Sequence, residues 1–70
     1  PNPVGDALRL EYSPDVTPTA VELYDAQGRL LTIQRGNLES VNTGSLPAGL
    51  YTVKVTLDNG KSYSDTVIKK

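Results

Sequence analysis

Three aspartates, Asp15, Asp25 and Asp58, stand where the chain must turn, and a group of loop carboxylates is one way to hold calcium. A dedicated calcium loop places its acids at alternating positions within one short segment, whereas these three are spread along the chain. Each has instead the setting of a turn-forming Asp, whose carboxylate accepts nearby backbone N–H groups. Among the 8 Asp and Glu residues, no pair stands out as the two carboxylates of a glycoside hydrolase. Histidine and cysteine are both absent, which removes the commonest general base, the commonest metal ligand, disulfides and thiolate metal sites. The chain is therefore expected to be no enzyme and to use no metal or cofactor.

The four tyrosines, Tyr12, Tyr24, Tyr51 and Tyr63, offer a different chemistry, the stacking of aromatic faces on a sugar. Alternation along the strands places only Tyr24 clearly outside, and a single exposed tyrosine ordinarily packs against cross-strand neighbours. A carbohydrate-binding or adhesive β-sandwich is accordingly an alternative function, and a purely structural spacer is a third. Lys69 and Lys70 form a basic tip, which reads most simply as a solubilising end or as a charged guard on an edge strand.

A chain of 70 residues makes one small domain. At this size folding buries only about 60 per cent of the unfolded surface, so the core is thin and a separate active site hard to accommodate. The 7 basic and 8 acidic residues give a net charge of -1 and form no basic stripe, so nucleic-acid binding has no electrostatic support. No apolar run is long enough to span a bilayer, and no charged region followed by an apolar segment opens the chain. The start on Pro1-Asn2-Pro3, without methionine, is expected of a segment taken from a longer protein.

The elements that must position these residues are strands. Residues 1–7 carry two prolines and a glycine and read as a linker, leaving 8–70 as the folded domain. Leu8, Leu10 and Tyr12 alternate with polar residues in a first strand that Ser13-Pro14-Asp15 ends. A second follows in Ala20-Val21-Glu22-Leu23-Tyr24, with Val21 and Leu23 inward, and the turn Asp25-Ala26-Gln27-Gly28 joins it to a third over residues 29–34. In that third strand Leu31 and Ile33 share a face. A short fourth strand is expected over residues 38–43, with Val41 its surest core residue, and Leu46-Pro47-Ala48-Gly49 forms a corner before the fifth.

In the fifth strand Tyr51, Val53, Val55 and Leu57 alternate with Thr52, Lys54 and Thr56, and Asn59-Gly60 then signals a hairpin to a sixth. A two-residue turn sets Lys54 opposite Asp65 and leaves Tyr63 outside. A three-residue loop, with Gly60 left-handed, sets Tyr63 beside Val55 and Val67 beside Tyr51. The second register is favoured, although it turns Asp65 inward unless a bulge intervenes. The whole pattern predicts an all-β fold, a small sandwich of six or seven short, mainly antiparallel strands. Its expected core is Leu8, Leu10, Val21, Leu23, Leu31, Ile33, Val41, Leu46, Tyr51, Val53, Val55, Tyr63 and Ile68.

The order of motifs carries a resemblance over essentially the whole chain. Pro1-Asn2-Pro3-Val4, Val21-Glu22-Leu23-Tyr24-Asp25 with Gly28-Arg29-Leu30-Leu31, Leu46-Pro47-Ala48-Gly49-Leu50-Tyr51, and Gly60-Lys61-Ser62-Tyr63 with Val67-Ile68-Lys69-Lys70 resemble the C-terminal sorting domain of the type IX (Por) secretion system of Bacteroidetes. That resemblance implies an Ig-like β-sandwich attached to an N-terminal passenger and serving as its address. It implies export through the periplasm and recognition by the outer-membrane translocon. A cell-surface sorting peptidase commonly removes such a domain, leaving the passenger on the surface or secreted.

On this chain the family's terminal recognition region falls on Gly60, Lys61, Val67, Ile68, Lys69 and Lys70, and its structural signature on Leu46, Pro47, Gly49 and Tyr51. The family usually has an apolar residue where Thr43 stands, and Gly44 follows it, so the fourth strand is expected to fray. Asp65-Thr66-Val67 is similar to the O-glycosylation acceptor pattern of the same bacteria, but within a strand a glycan would disturb pairing. A folded address can be read by β-augmentation on the edge of the last strand, with Lys69 and Lys70 adding electrostatic steering.

Overall fold

The computed structural model describes residues 5–70 and contains, among them, six strands and no helix. These are β1 (Ala7–Arg9), β2 (Pro18–Tyr24), β3 (Leu30–Gln34), β4 (Ser40–Asn42), β5 (Gly49–Leu57) and β6 (Ser62–Lys69). They form a four-stranded sheet in the order β3-β2-β5-β6 and a two-stranded sheet of β1 and β4, and every pair is antiparallel. The first four residues of the expected linker, Pro1, Asn2, Pro3 and Val4, lie outside the described residues.

The core lies where Leu8 and Val41 of the small sheet meet Val21, Leu23, Tyr51, Val53, Val55, Leu57 and Val67 of the large one. Leu10, Tyr12, Val16, Leu38 and Leu46 pack around it, half-buried. Alternation explains the membership, because Val21 faces Val55 and Leu23 faces Val53 across β2 and β5. Glu22 faces Lys54 on the opposite, solvent side of the sheet.

Turn chemistry follows the sequence closely. The Leu57 N–H donates to the Lys61 carbonyl at 2.8 Å and the Gly60 N–H to the Leu57 carbonyl at 3.1 Å, which closes the three-residue loop. Gly60 has φ of 85°. The favoured register therefore holds, with Val55 opposite Tyr63 and Tyr51 opposite Val67. Asp65 stands opposite Val53 with no bulge in the pair, and it stays exposed because β6 is the outermost strand of its sheet.

Several expected core residues lie elsewhere. Ile33 pairs with Glu22 and so shares its outward face, while Thr32 and Gln34 take the inward positions opposite Leu23 and Val21. Leu31 is the extra residue of a bulge, since Leu23 pairs with Thr32 but Tyr24 with Leu30. Ile68 pairs with Leu50 on the outer face, and its place in the core belongs to Val67. Tyr63 points inward but remains 48% exposed, at the groove it lines with residues 8–11. Leu57 is buried in addition to the residues expected.

Thr43, only 1% exposed, is satisfied rather than disruptive: its hydroxyl donates to the Gly5 carbonyl at 2.7 Å, and its N–H donates to the Asp6 carbonyl at 2.9 Å. These bonds extend the pairing of β1 with β4 beyond the three residues of each strand. The crossover between the sheets is held by Gln34, whose Nε2 donates to the carbonyls of Asn37 at 2.9 Å and Ser40 at 3.0 Å.

Truncation should separate the two faces. Leu23→Ala, at a fully buried position, is expected to cost about 2–5 kcal/mol, a large share of a small domain's stability. Leu50→Ala, at a side chain 53% exposed, should stay within about 0.5 kcal/mol. Urea midpoints report both, and equal shifts would mean that the outer face is buried too.

Candidate functional site

Strand pairing brings two of the sequence-identified groups together and leaves the third apart. Gly49 pairs with Lys69, Leu50 with Ile68 and Tyr51 with Val67, so the corner before β5 and the end of β6 form one end of the large sheet. Gly60 and Lys61 sit beyond the other end of β6, a strand of 8 residues, or roughly 26 Å at about 3.3 Å per residue.

The corner has a clear mechanical basis. The Tyr51 ring is buried and its hydroxyl donates to the Pro47 carbonyl at 2.7 Å, a tyrosine closing the backbone four positions upstream. Gly49 between them has φ of 155°, which a side chain disfavours, and Leu46 packs on the core below. Pro47, Gly49 and Tyr51 thus determine where β5 begins and which residues of β6 it meets. Val67 is buried against this corner.

The basic tip divides into two unlike residues. Lys69 is 8% exposed, with its stem over the inner face, whereas Lys70 is exposed. No side-chain nitrogen or oxygen among the described residues is buried without a partner, so the Lys69 ammonium reaches out along a covered stem. Lys61, at the hairpin, is also exposed.

A groove runs between the inner face of β6 and residues 8–11, lined by Leu8, Arg9, Leu10, Glu11, Tyr63, Asp65 and Val67, with a volume of about 550 Å³. The Asp65 carboxylate, at its middle, accepts the Thr66 N–H at 3.0 Å. Alternation of inward residues marks Tyr63 and Val67 in the sequence, but nothing in it distinguishes this use of Asp65. Tyr12, whose hydroxyl donates to the Leu38 carbonyl at 2.6 Å, has its phenol pushed above the ordinary value by burial first, then by Tyr63 and Glu39.

The remaining candidates are structural. Asp25 accepts the N–H groups of Gln27 and Arg29, each at 2.9 Å, and pairs with the Arg29 guanidinium at 2.9 Å. The Arg29 N–H, ahead of the other donors, holds its carboxyl below the usual carboxylate value. Arg29 itself is well exposed, so its charge is screened. Tyr24, the expected exposed aromatic, donates its hydroxyl to Glu22 at 2.6 Å, and that bond raises its phenol above the ordinary value. Among the described residues no group of His, Cys, Asp or Glu is arranged to hold a metal, and no helix is long and apolar enough to cross a membrane.

Residues 1–70 match the family described as secretion system C-terminal sorting domain. The chain belongs to this family. No curated protein and no solved structure gave a match. Members of the family are sorting signals for type IX secretion, so the chain is a sorting domain of that system and is exported through it to the cell surface or outside. As a sorting domain it implies an N-terminal passenger and a type IX secretion system to act on it. Its all-β fold, in two antiparallel sheets, fits the Ig-like sandwich that the resemblance implied.

The Asp25 carboxyl, depressed in the folded state, contributes stability above its unfolded value near 3.8 and loses it as pH falls through the folded pKa. Asp25→Ala should therefore lower the urea midpoint at neutral pH, and its deficit should shrink as the solution is acidified through that range. A deficit that stays constant with pH would assign the effect to something other than the ionised carboxylate.

Proposed function

We propose that the translocon reads this sorting domain through its terminal hairpin, with Gly60, Lys61, Val67, Ile68, Lys69 and Lys70 as the recognition region. A surface sorting peptidase then removes the domain from its passenger, which passes through the periplasm to the surface or medium of a Bacteroidetes cell. The observation that carries the reading is the convergence of the Pro47 corner with Gly49 and Tyr51 of β5 and with Val67 and Lys69 of the adjacent β6, the last strand in its sheet among the described residues. The corner supports recognition indirectly, by holding β6 in one register.

Recognition then depends on folded structure as well as on the last residues. The edge of β6 offers backbone groups for strand addition. The exposed cations Lys61 and Lys70 stand at opposite ends of this strand and add steering that salt weakens. In this reading Lys69 acts through its covered stem, not as a free charge.

A fluorescent reporter with an ordinary signal peptide and this segment at its C-terminus tests the proposal, in a Bacteroidetes host with and without a working type IX translocon. Export is expected only with the translocon, and deletion of residues 67–70 should abolish it. Lys61→Glu with Lys70→Glu should slow export while leaving the urea midpoint within about 0.5 kcal/mol of the parent. Export of the doubly substituted reporter at the parent rate would remove the steering role. A reporter retained in the periplasm of both strains would leave the hairpin without a recognition function.

A further inference from the structure

Among the described residues no strand pairs with the outer edge of β6 over residues 62–66, and that edge carries a guard. Leu57 and Lys61 form the hydrogen-bonded pair that closes the hairpin, so in the antiparallel alternation Tyr63, Asp65 and Val67 turn their backbone groups toward β5. Ser62, Ser64 and Thr66 turn theirs toward the open edge, where no further strand pairs with them among the described residues. One of these outward donors is occupied: the Thr66 N–H is held by the carboxylate of Asp65, its own neighbour, at 3.0 Å. An incoming strand cannot use that donor until Asp65 releases it.

Asp65 also lies in the groove that the inward side chains of an added strand would enter. The charged residues lining that groove are Asp65, Glu11 and Arg9, an acidic balance, and no ion pair joins Arg9 to Asp65. The ion pair between Asp25 and Arg29 is the one formed among the described residues. Around Asp65 the walls are apolar or aromatic, from Leu8, Leu10, Tyr63 and Val67. A cation delivered at this point would meet a carboxylate that has no ion-pair partner, between apolar neighbours. A second copy of this chain suits the place poorly, because antiparallel pairing of two β6 edges about Ser64 would bring two Asp65 carboxylates to the same face.

We propose that the β6 edge accepts an extended segment of a partner protein carrying a lysine or arginine between apolar residues, whose cation draws the Asp65 carboxylate from the Thr66 N–H and so opens that donor to pairing. The proposal rests on the reading of β6 as a recognition strand and names the chemistry of what it binds. Asp65 thereby acts as guard and specificity determinant together. Strands that present a neutral or acidic residue at this position leave the donor covered, and only a cationic one uncovers it.

The probe is the peptide acetyl-Thr-Val-Thr-Lys-Thr-Val-Thr-amide, whose Val, Lys and Val share one face, with versions carrying Gln or Glu in place of Lys. Titration into the isotopically labelled 70-residue chain, followed by backbone amide shifts, reads both site and affinity. The Lys peptide should move the amides of Ser62, Ser64 and Thr66 and bind roughly fivefold more tightly than the Gln peptide. The Glu peptide should not bind.

Two variants separate the roles of Asp65. Asp65→Asn keeps an acceptor for Thr66 but no charge, and should erase the preference for Lys over Gln. Asp65→Ala frees the donor, and should bind the Gln peptide more tightly than the parent does. Equal binding of the Lys and Gln peptides to the parent, shifts confined to other residues, or no binding overturns the proposal. Concentration-dependent shifts of the same amides without peptide would assign the edge to a second copy and overturn it as well. Export of the reporter with Asp65→Asn, measured beside the binding, keeps the two levels distinct: normal translocon-dependent export with no peptide preference in the parent rejects the cationic strand and leaves the sorting reading standing.

Discussion

Strand β5 is the constraint on which the rest of the molecule depends. It pairs with β2 on one side and β6 on the other, and Tyr51, Val53, Val55 and Leu57 all face the core. A shift of one residue would turn these side chains to solvent and expel Val67 with them. The register is pinned at both ends, by the hydroxyl of Tyr51 on Pro47 and by the three-residue loop that Gly60 permits. Neither pin contributes much burial. Their effect is to leave one alignment in which the apolar face can be buried.

A chain this small, without disulfides, has little hydrophobic stabilisation to spare on unsatisfied polar groups. The described residues accordingly leave no buried side-chain polar atom unpaired. Thr43 extends the short β1–β4 pairing through the carbonyls of Gly5 and Asp6, and Gln34 spans the crossover between sheets. Tyr12 ties its segment to Leu38. Thr43 and Tyr12 thus lengthen a β1–β4 pairing that is only three residues long, and Gln34 joins it to the large sheet.

For a sorting domain these features have a common sense. A structure held by local turns and one central strand, without cysteine, does not wait for oxidation to form. Among the described residues no strand pairs with the outer side of β6 at residues 62–66, and an unpaired edge of this kind is a hazard for aggregation. The bond from the Thr66 N–H to Asp65 covers one donor of that edge.

Turns and alternation were legible in the sequence because both are local. Asp25 with Gly28, and Asn59 with Gly60, specify their turns through side-chain acceptors and positive φ, whatever surrounds them. The period of two in Tyr51, Val53, Val55 and Leu57 identified β5 and its buried face. Membership of the sorting family also came from the order of motifs, now matched over residues 1–70. Burial in the edge strands was not local. Leu31 and Ile33 could be assigned to a face only once the bulge at Leu31 and the pairing of Ile33 with Glu22 were known, whereas the inward place of Val67 beside Tyr51 followed from the hairpin register. Likewise the exposure of Tyr63 and the burial of Lys69, both on the inward side of β6, depend on what packs over that side. Sequence determined the elements, their turns and the family, since each depends on residues close together in the chain. Tertiary structure decided which side chains of the outer strands are buried and which residues meet across the groove beside β6, since both depend on how distant segments pack.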